Sequence, residues 1–100
     1  MHARVSTYAG IAPDRAEDGV QAFQRSAEPL QQLDGFEGAY LLMDRAGGRA
    51  ITITLWADEG AAQASAERAS QLRSEAASAA DMSVESVDTY EVAVQVQPTG

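Results

Sequence analysis

The stretch FEGAYLLMDRAGGRAITITLW, residues 36–56, decides the fold because it predicts two strands joined by a tight turn. Its two halves, Phe36 to Asp44 and Ala50 to Trp56, are rich in the branched and aromatic residues that strands favour. Between them, Gly47 and Gly48 supply the positive φ angles that a short hairpin turn demands. The segment therefore predicts an antiparallel hairpin at the centre of a sheet.

The register of this hairpin follows from the length of its loop. If Gly47 and Gly48 alone form the loop, Leu41 lies opposite Thr54 and Met43 lies opposite Thr52. Successive side chains of a strand point to opposite faces, so both faces of the hairpin carry large apolar residues. One face holds Leu41, Met43, Thr52, Thr54 and Trp56, and the other holds Tyr40, Leu42, Ile51, Ile53 and Leu55.

On the N-terminal side of the hairpin, the chain predicts a strand and then a helix. Residues Ala3 to Ala9 alternate with a period of two, which is typical of a strand. Pro13 and Asp14 are typical of the start of a helix. Its apolar stripe consists of Ala16, Val20, Phe23, Ala27 and Leu30. Pro29 lacks a backbone N–H, so we expect the helix to kink or stop there.

On the C-terminal side, the pattern predicts a second helix and a last strand. Asp58 is the expected N-cap of a helix that runs to about Ala79. Its inward stripe is almost entirely small and consists of Ala62, Ser65, Ala69, Leu72, Ala76 and Ala79. The last strand is expected from about Val84 to Gln97, with residues 98–100 as a flexible tail. Residues 1–97 are therefore predicted to form a single domain.

The order of elements is β-α-β-β-α-β, which predicts an α+β fold of the ferredoxin-like type. In that fold a four-stranded antiparallel sheet carries two helices on one face. Both faces of the central hairpin are apolar, and two helices cover only one of them. A large uncovered apolar face is uncommon on a monomer. We therefore expect a homodimer in which two sheets pack face to face and close into a barrel, although the sequence leaves open which face is covered.

Composition excludes several classes of function. The chain has 100 residues with 7 basic residues, all of them arginine, against 15 acidic ones, for a net charge of −8. That charge argues against a nucleic-acid partner, and the absence of cysteine excludes disulfides and thiolate metal sites. The longest apolar run, Ala39 to Met43, is far shorter than the roughly 20 residues that span a bilayer. With no signal peptide at the N-terminus, we expect a cytoplasmic protein without a membrane partner.

Three short motifs resemble one protein family. They are Asp34-Gly35-Phe36-Glu37-Gly38 before the second strand, Leu55-Trp56-Ala57-Asp58-Glu59 at the end of the third, and Val87-Asp88-Thr89-Tyr90-Glu91-Val92 in the last. Together with the order of elements, these motifs resemble the antibiotic-biosynthesis-monooxygenase-like group of dimeric α+β barrels. The resemblance implies a homodimer with a ligand cavity between sheet and helices in each protomer.

The resemblance also implies a chemistry. Cofactor-free oxygenases of this group oxidise aromatic or quinol-type substrates, whose anion gives an electron to dioxygen. Such a site needs a ring-binding wall, for which Trp56 and Tyr8 are candidates, and an oxyanion donor, for which Arg4 or Thr54 is a candidate. The alternative is a non-catalytic ligand-binding or structural homodimer, in which Trp56 is a core or interface anchor and the tyrosines are ordinary strand residues. An isomerase or lactone-forming enzyme is a third alternative, but the chain offers no clear acid-base pair for it.

Haem-degrading members of the group hold iron through a histidine about ten residues after the matching tryptophan, assisted by an asparagine. Here that position falls near Ala66, the chain has no asparagine, and its one histidine is His2. The sequence therefore argues against a haem oxygenase, and we expect neither a cofactor nor a metal. A Ser-His hydrolase is excluded as well, because no histidine is expected near the serines of the second helix.

The small stripe of the second helix leaves room for a ligand. We expect a mostly apolar pocket under this helix, beside Trp56, that takes a small apolar or aromatic molecule. Its predicted lining is Trp56, Thr54, Tyr8, Arg4, Leu72 and Phe23.

Overall fold

The computed structural model describes residues 1–99, and its elements follow the predicted order. The strands are β1 (His2–Ala9), β2 (Phe36–Asp44), β3 (Arg49–Trp56) and β4 (Ser83–Glu91). The helices are α1 (Ala16–Gln31), α2 (Glu59–Ala64) and α3 (Ala66–Ala80), with a 3-10 turn at Pro13–Arg15 before α1. No helix of the described part of the chain is long and apolar enough to cross a membrane.

The four strands form one antiparallel sheet in the order β2-β3-β1-β4. This order confirms the ferredoxin-like α+β fold, in which the first and third strands lie at the centre. The helices cover one face only, the one that carries Leu41, Thr52 and Thr54. The other face of the hairpin stays open, and Tyr40 and Leu42 are exposed on it. The predicted division of side chains between the two faces is thus confirmed, and the structure identifies the open face.

The predicted register of the hairpin is wrong by two residues. Leu41 pairs with Thr52 and Met43 with Ala50, because the loop has four residues, 45–48, and Asp44 pairs with Arg49. The Asp44 carboxylate accepts a hydrogen bond from the Gly47 backbone N–H at 2.9 Å and forms an ion pair with Arg49 at 3.0 Å. Both interactions lower the pKa of Asp44 from its ordinary value, with the backbone bond as the larger cause. A shift of two residues leaves each side chain on its predicted face.

The first helix ends at Gln31, two residues after Pro29, as the proline predicts. Its buried stripe differs from the predicted one, because Gly19 and Ala22 are buried whereas Ala27 is exposed. A side chain at Gly19 would lie 3.7 Å from the Cβ of Ala80, so α1 packs closely against α3 through small residues. Close helix contact of this kind favours glycine and alanine over the larger residues of the predicted stripe.

The predicted second helix is two helices. Asp58 is the N-cap, as predicted, and its carboxylate accepts from the Ala61 N–H at 2.7 Å. The helix breaks at Ser65. In a continuous helix the Ala62 carbonyl would accept from the N–H of residue 66, but here it accepts from the side chains of Ser65 and Arg4. The last turn of α3 buries residues 77 and 80 in place of the predicted Ala79.

The last strand is shorter than predicted. It ends at Glu91 instead of Gln97, and residues 92–99 belong to no helix or strand. Val94 and Val96 are 77% and 87% exposed, so the alternation that predicted a longer strand has no buried face in a single chain. Of the predicted tail, Gly100 lies outside the described residues.

Gly35 joins two of the quoted motifs, because its carbonyl accepts from the Ala57 N–H at 2.7 Å, and it should not tolerate a side chain. It has a φ of 78°, and an added Cβ would lie 2.5 Å from the Cβ of Ala61. Gly10 has a φ of 76° with open space around it, so Gly10→Ala measures the backbone penalty alone, about 1–2 kcal/mol. We expect Gly35→Ala to lower the free energy of unfolding by about 1–3 kcal/mol more than Gly10→Ala, because of the clash. Equal losses in urea unfolding would show that the contact with Ala61 is unimportant.

Candidate functional site

A cavity of about 60 Å³, the inner cavity, lies between the sheet and the helices. Its sheet wall carries Arg4, Ser6 and Tyr8 from β1, Leu41 from β2, and Thr52 and Thr54 from β3. Its helix wall carries Gly19, Phe23, Ser26 and Leu30 from α1, and Ala69, Leu72, Arg73 and Ala76 from α3. Met82 completes the lining. No aspartate or glutamate is among these residues, so the only charges at the inner cavity belong to the two arginines.

Arg4 is the most unusual residue of the site because it is a buried cation, only 6% exposed. Its position on the helix-covered face of β1 follows from strand alternation, since its neighbours Ala3 and Val5 point to the open face. The guanidinium donates to the Ser65 hydroxyl through Nη1 at 3.3 Å and through Nη2 at 3.4 Å, and Nη2 also donates to the Ala62 carbonyl. It lies over the indole ring of Trp56, with its Cζ 5.5 Å from the ring centroid.

No carboxylate of residues 1–99 compensates this charge. The ion pairs in the described part of the chain use other arginines, Arg15, Arg45 and Arg49. Burial lowers the pKa of Arg4 from its ordinary value, and the positive charge of Arg73 lowers it further. The cavity wall therefore carries a desolvated positive charge that only neutral groups stabilise, which favours an anionic ligand.

Trp56 lies behind the inner cavity and does not line it. It is fully buried, packs edge-to-face on Phe36 with ring centroids 5.5 Å apart, and belongs to an apolar cluster with Leu30 and Leu72. Its indole N–H donates to the Thr54 hydroxyl at 3.0 Å, and Thr54 lines the cavity. The tryptophan is thus a core anchor that also fixes the orientation of one polar group at the wall.

The other predicted pocket residues all reach the inner cavity. Tyr8 is 5% exposed, and its hydroxyl shares a hydrogen bond of 3.3 Å with that of Thr52. Phe23 and Leu72 face it from α1 and α3. The structure therefore brings together Arg4, Tyr8, Phe23, Thr54 and Leu72 at one cavity, with Trp56 one hydrogen bond away.

A second and wider space, the outer cleft, lies beside the inner cavity and measures about 470 Å³. Arg4 and Arg73 line both spaces, so they stand where the two meet. The remaining lining of the outer cleft consists of His2, Glu59, Ala62, Gln63, Ala66, Val87, Thr89 and Glu91. The inner cavity alone is smaller than most ligand sites, which measure about 300–1,000 Å³, whereas the outer cleft falls in that range. A ligand would therefore enter the cleft and reach inward past the arginines.

The sequence analysis missed Arg73 and the role of Ser65. Arg73 was not among the predicted pocket residues, because the predicted inward stripe of the second helix passes through Leu72 and Ala76 and leaves it out. Only the packing of α3 over the sheet brings it to Arg4. Ser65 and Ala66, about ten residues after Trp56, stand where the haem-degrading pattern has its histidine, and Ser65 binds Arg4 instead. Within residues 1–99, no group of three His, Asp or Glu residues comes close enough to hold a metal ion.

The inner cavity should make α3 tolerant at one alanine and intolerant at another. Ala69 lines the cavity, whereas Ala80 is fully buried in the contact with α1. We expect Ala69→Leu to lower the free energy of unfolding by less than about 1 kcal/mol, and Ala80→Leu to lower it by about 1–3 kcal/mol through overpacking. Urea unfolding of both variants measures the difference. A larger loss at Ala69 than at Ala80 would mean that no usable space exists beside the sheet.

A protein-family model described as antibiotic biosynthesis monooxygenase matches residues 1–77. Comparison with curated protein sequences gives no match.

Several solved structures are similar over nearly the whole chain. SnoaB, a cofactor-independent oxygenase from Streptomyces nogalater, is 22% identical with a TM-score of 0.70 and covers 98% of this chain and 97% of its own. A monooxygenase from the gene ActVA-Orf6 of Streptomyces coelicolor, solved with nanaomycin D, is 17% identical with a TM-score of 0.73. The match covers 98% of this chain and 92% of that one. The heme-degrader MhuD from Mycobacterium tuberculosis, solved with two hemes in its active site, is 20% identical with a TM-score of 0.70. The match covers 97% of this chain and 100% of that one. At these identities the likeness concerns the fold.

Proposed function

This chain belongs to the antibiotic biosynthesis monooxygenase family, and from that premise we propose that it binds a small aromatic or quinol-type metabolite and oxidises it with dioxygen, without a cofactor. The observation that carries the proposal is the buried Arg4 guanidinium at the cavity wall, which has no carboxylate partner within residues 1–99. A cation there stabilises the phenolate form of a bound hydroquinone. Two structural neighbours support the chemistry, since one is described as a cofactor-independent oxygenase and another as a monooxygenase.

The proposed reaction oxidises a hydroquinone at a ring carbon that carries hydrogen. The phenolate transfers an electron to dioxygen, and the resulting semiquinone and superoxide combine to form a C–O bond. The hydroperoxide then loses water as its O–O bond breaks, so one oxygen atom stays on the ring and the other leaves as water. One hydroquinone and one dioxygen give one hydroxyquinone and one water, and all the electrons that dioxygen accepts come from the substrate.

The residues of this chain act on the first step of that reaction. Arg4 lowers the pKa of the ring hydroxyl through its charge, so the substrate reaches dioxygen as an anion. The hydroxyls of Tyr8 and Thr54 offer hydrogen bonds that orient the ring, and Phe23 and Leu72 supply apolar contact. The apolar wall excludes water, which strengthens the interaction between the guanidinium and the phenolate.

Oxygen consumption by chelator-treated protein with a panel of hydroquinones tests this function. We expect uptake above autoxidation, in proportion to protein concentration, and no return of oxygen on adding catalase, because the reaction makes water instead of hydrogen peroxide. If oxygen uptake equals autoxidation while the same compounds change the fluorescence of Trp56, the compounds bind without being oxidised. That result would favour the alternative function, a non-catalytic ligand-binding homodimer. Trp56 suits this purpose because it is the only tryptophan and contacts the wall through Thr54.

A haem-degrading function has less support, although one structural neighbour is a heme-degrader. The helix positions about ten residues after Trp56 hold Ser65 and Ala66, which offer no nitrogen or sulfur ligand. The hydroxyl of Ser65 is hydrogen-bonded to Arg4.

The partner that we propose is a second copy of the chain, packed on the open face of the sheet. That face carries Tyr40, Leu42 and Ile51, which are 59%, 47% and 36% exposed in the single chain. Tyr90 extends the same face on β4, because it pairs with Ala3, which also pairs with Leu55 of β3. An apolar surface of this extent on a two-layer fold is typical of a face that packs on a partner.

Leu42→Lys separates a dimer from a monomer. If the chain is a monomer, lysine at a half-exposed strand position leaves the oligomeric state unchanged. In the sheet-to-sheet dimer, the variant places two buried charges in an apolar interface, and we expect it to elute as a monomer in size exclusion with light scattering. Gln21→Lys, on the exposed face of α1, is the matched control and should stay a dimer. A wild-type protein that is monomeric at micromolar concentration would contradict the dimer.

A further inference from the structure

Arg4 and Arg73 come from distant parts of the chain and meet at the boundary between the inner cavity and the outer cleft. Arg4 projects from β1 and is buried, whereas Arg73 projects from α3 and is half-buried. Neither takes part in an ion pair within residues 1–99. In a chain with a net charge of −8, two arginines without carboxylate partners at one cavity are an arrangement that composition does not predict.

The positive charges of Arg4 and Arg73 repel each other in the absence of a ligand. Arg73 lowers the pKa of Arg4, in addition to the larger effect of burial. Some N–H groups of Arg4 already donate to Ser65 and Ala62. Within residues 1–99, the Arg73 side chain donates no hydrogen bond. An anion between them would relieve the repulsion and accept hydrogen bonds from the remaining N–H groups. A carboxylate matches the planar, forked geometry of guanidinium groups and can accept two parallel hydrogen bonds from one of them.

The surroundings define how such a ligand lies. The inner cavity beyond the arginines is lined by apolar side chains and hydroxyls and contains no acidic residue. The outer cleft contains His2 and two carboxylates, Glu59 and Glu91. A ligand with a second acidic group pointing outward would meet those carboxylates. The charges favour one negative group at the boundary. The ring would lie mainly in the outer cleft with one edge directed into the inner cavity, whose volume of about 60 Å³ is smaller than the roughly 150 Å³ that holds benzene in another protein.

We propose that Arg4 and Arg73 bind a carboxylate on the ligand, and that the substrate class is therefore aromatic acids with a hydroxyl next to the carboxylate. This inference rests on the proposed function and narrows it. In such a molecule the carboxylate and the neighbouring ring oxygen both lie within reach of Arg4, while Arg73 holds the carboxylate alone. Arg73 thereby determines specificity, and Arg4 serves both recognition and the oxidation.

Calorimetric titration with salicylate and salicylamide tests the proposal. The two compounds share the ring and the hydroxyl, but only the first carries a carboxylate. We expect salicylate to bind the wild-type protein at least about tenfold more tightly than salicylamide, as a charge-assisted pair would give. Arg73→Gln should weaken salicylate binding by about tenfold and change salicylamide binding by less than about twofold. Arg73→Lys should restore part of the salicylate affinity, and Arg68→Gln, on the exposed side of the same helix, should change neither.

Three other outcomes of these titrations would contradict the carboxylate site. If salicylamide and salicylate bind equally well, the arginine pair does not recognise a carboxylate, and the proposed function stands without this inference. If Arg73→Gln weakens both compounds alike, with an unchanged circular dichroism spectrum, Arg73 acts on the shape of the cleft and the inference is wrong. If neither compound binds while a hydroquinone still drives oxygen uptake, the inference is wrong and the proposed function stands. If neither compound binds and no hydroquinone is oxidised, both are wrong.

Discussion

Arg4→Met is expected to abolish most of the oxidation while leaving the protein at least as stable as before. Removing one donor aimed at a developing oxyanion lowers kcat by about 10²–10³-fold in other enzymes, and we expect a loss of that size in kcat/KM for a hydroquinone. Stability should not fall, because methionine replaces a buried charge that has no carboxylate partner within residues 1–99. The Ser65 hydroxyl still donates to the Ala62 carbonyl at 2.9 Å after the change.

The combination of lost activity and retained stability is the informative result. A residue kept for folding would show the opposite, a lower free energy of unfolding with activity reduced only in proportion to the unfolded fraction. Arg68→Met, at an exposed position on α3, removes the same charge from the chain and should leave both quantities unchanged. Oxygen uptake and urea unfolding of the two variants measure the contrast. Full activity in Arg4→Met would remove the residue from the proposed mechanism.

Trp56→Ala is expected to have the largest effect on stability, a loss of about 3–5 kcal/mol in the free energy of unfolding. The indole is fully buried, packs edge-to-face on Phe36, and contacts the guanidinium of Arg4. Its removal leaves a cavity in the part of the core that also holds Leu30 and Leu72, and it frees the Thr54 hydroxyl. For a chain of 100 residues, a loss of this size is a large fraction of a typical total free energy of unfolding, about 5–15 kcal/mol.

Trp56→Phe distinguishes the structural role from a catalytic one. Phenylalanine keeps the aromatic contact with Phe36 but loses the N–H that orients Thr54. We expect most of the stability to return and turnover to fall less than in Arg4→Met, since Trp56 acts through Thr54. The measurements are urea unfolding and oxygen uptake on the same preparations. A well-folded Trp56→Phe protein with no activity would assign the indole a direct part in the reaction.

The sequence predicted the order of elements and the two faces of the hairpin because both depend on local periodicity. It failed where a side chain competes with the backbone. Asp44 binds the Gly47 N–H and thereby adds two residues to the loop that the Gly-Gly pair suggested. At the break at Ser65, the Ala62 carbonyl accepts from the side chains of Ser65 and of Arg4, which lies far away on β1. Neither interaction has a periodic signature.

The candidate site was predictable on its strand side and only in part on its helix side, where Phe23 and Leu72 were expected but Arg73 was not. Strand alternation places Arg4, Tyr8 and Thr54 on one face once the first strand and the hairpin are recognised. On a helix, the buried stripe depends on how closely the helix packs, and α3 turns so that Arg73 reaches the cavity. Trp56 was expected to bind a ligand ring, with a core or interface anchor as the alternative. The structure buries it in the core between α2 and the sheet. Charge pairing across the fold is not encoded in any single element.

The most direct test of the central claim, that this chain is a cofactor-free monooxygenase, is isotope labelling. The chelator-treated protein is incubated with the hydroquinone that gives the fastest oxygen uptake, under isotopically labelled dioxygen. The mass of the product is then measured by mass spectrometry. The account predicts a hydroxyquinone with one heavy oxygen atom on the ring and the other in water, formed by the wild-type protein and strongly reduced in Arg4→Met. An unlabelled quinone with labelled hydrogen peroxide, or product formation at the same rate in Arg4→Met, would contradict it.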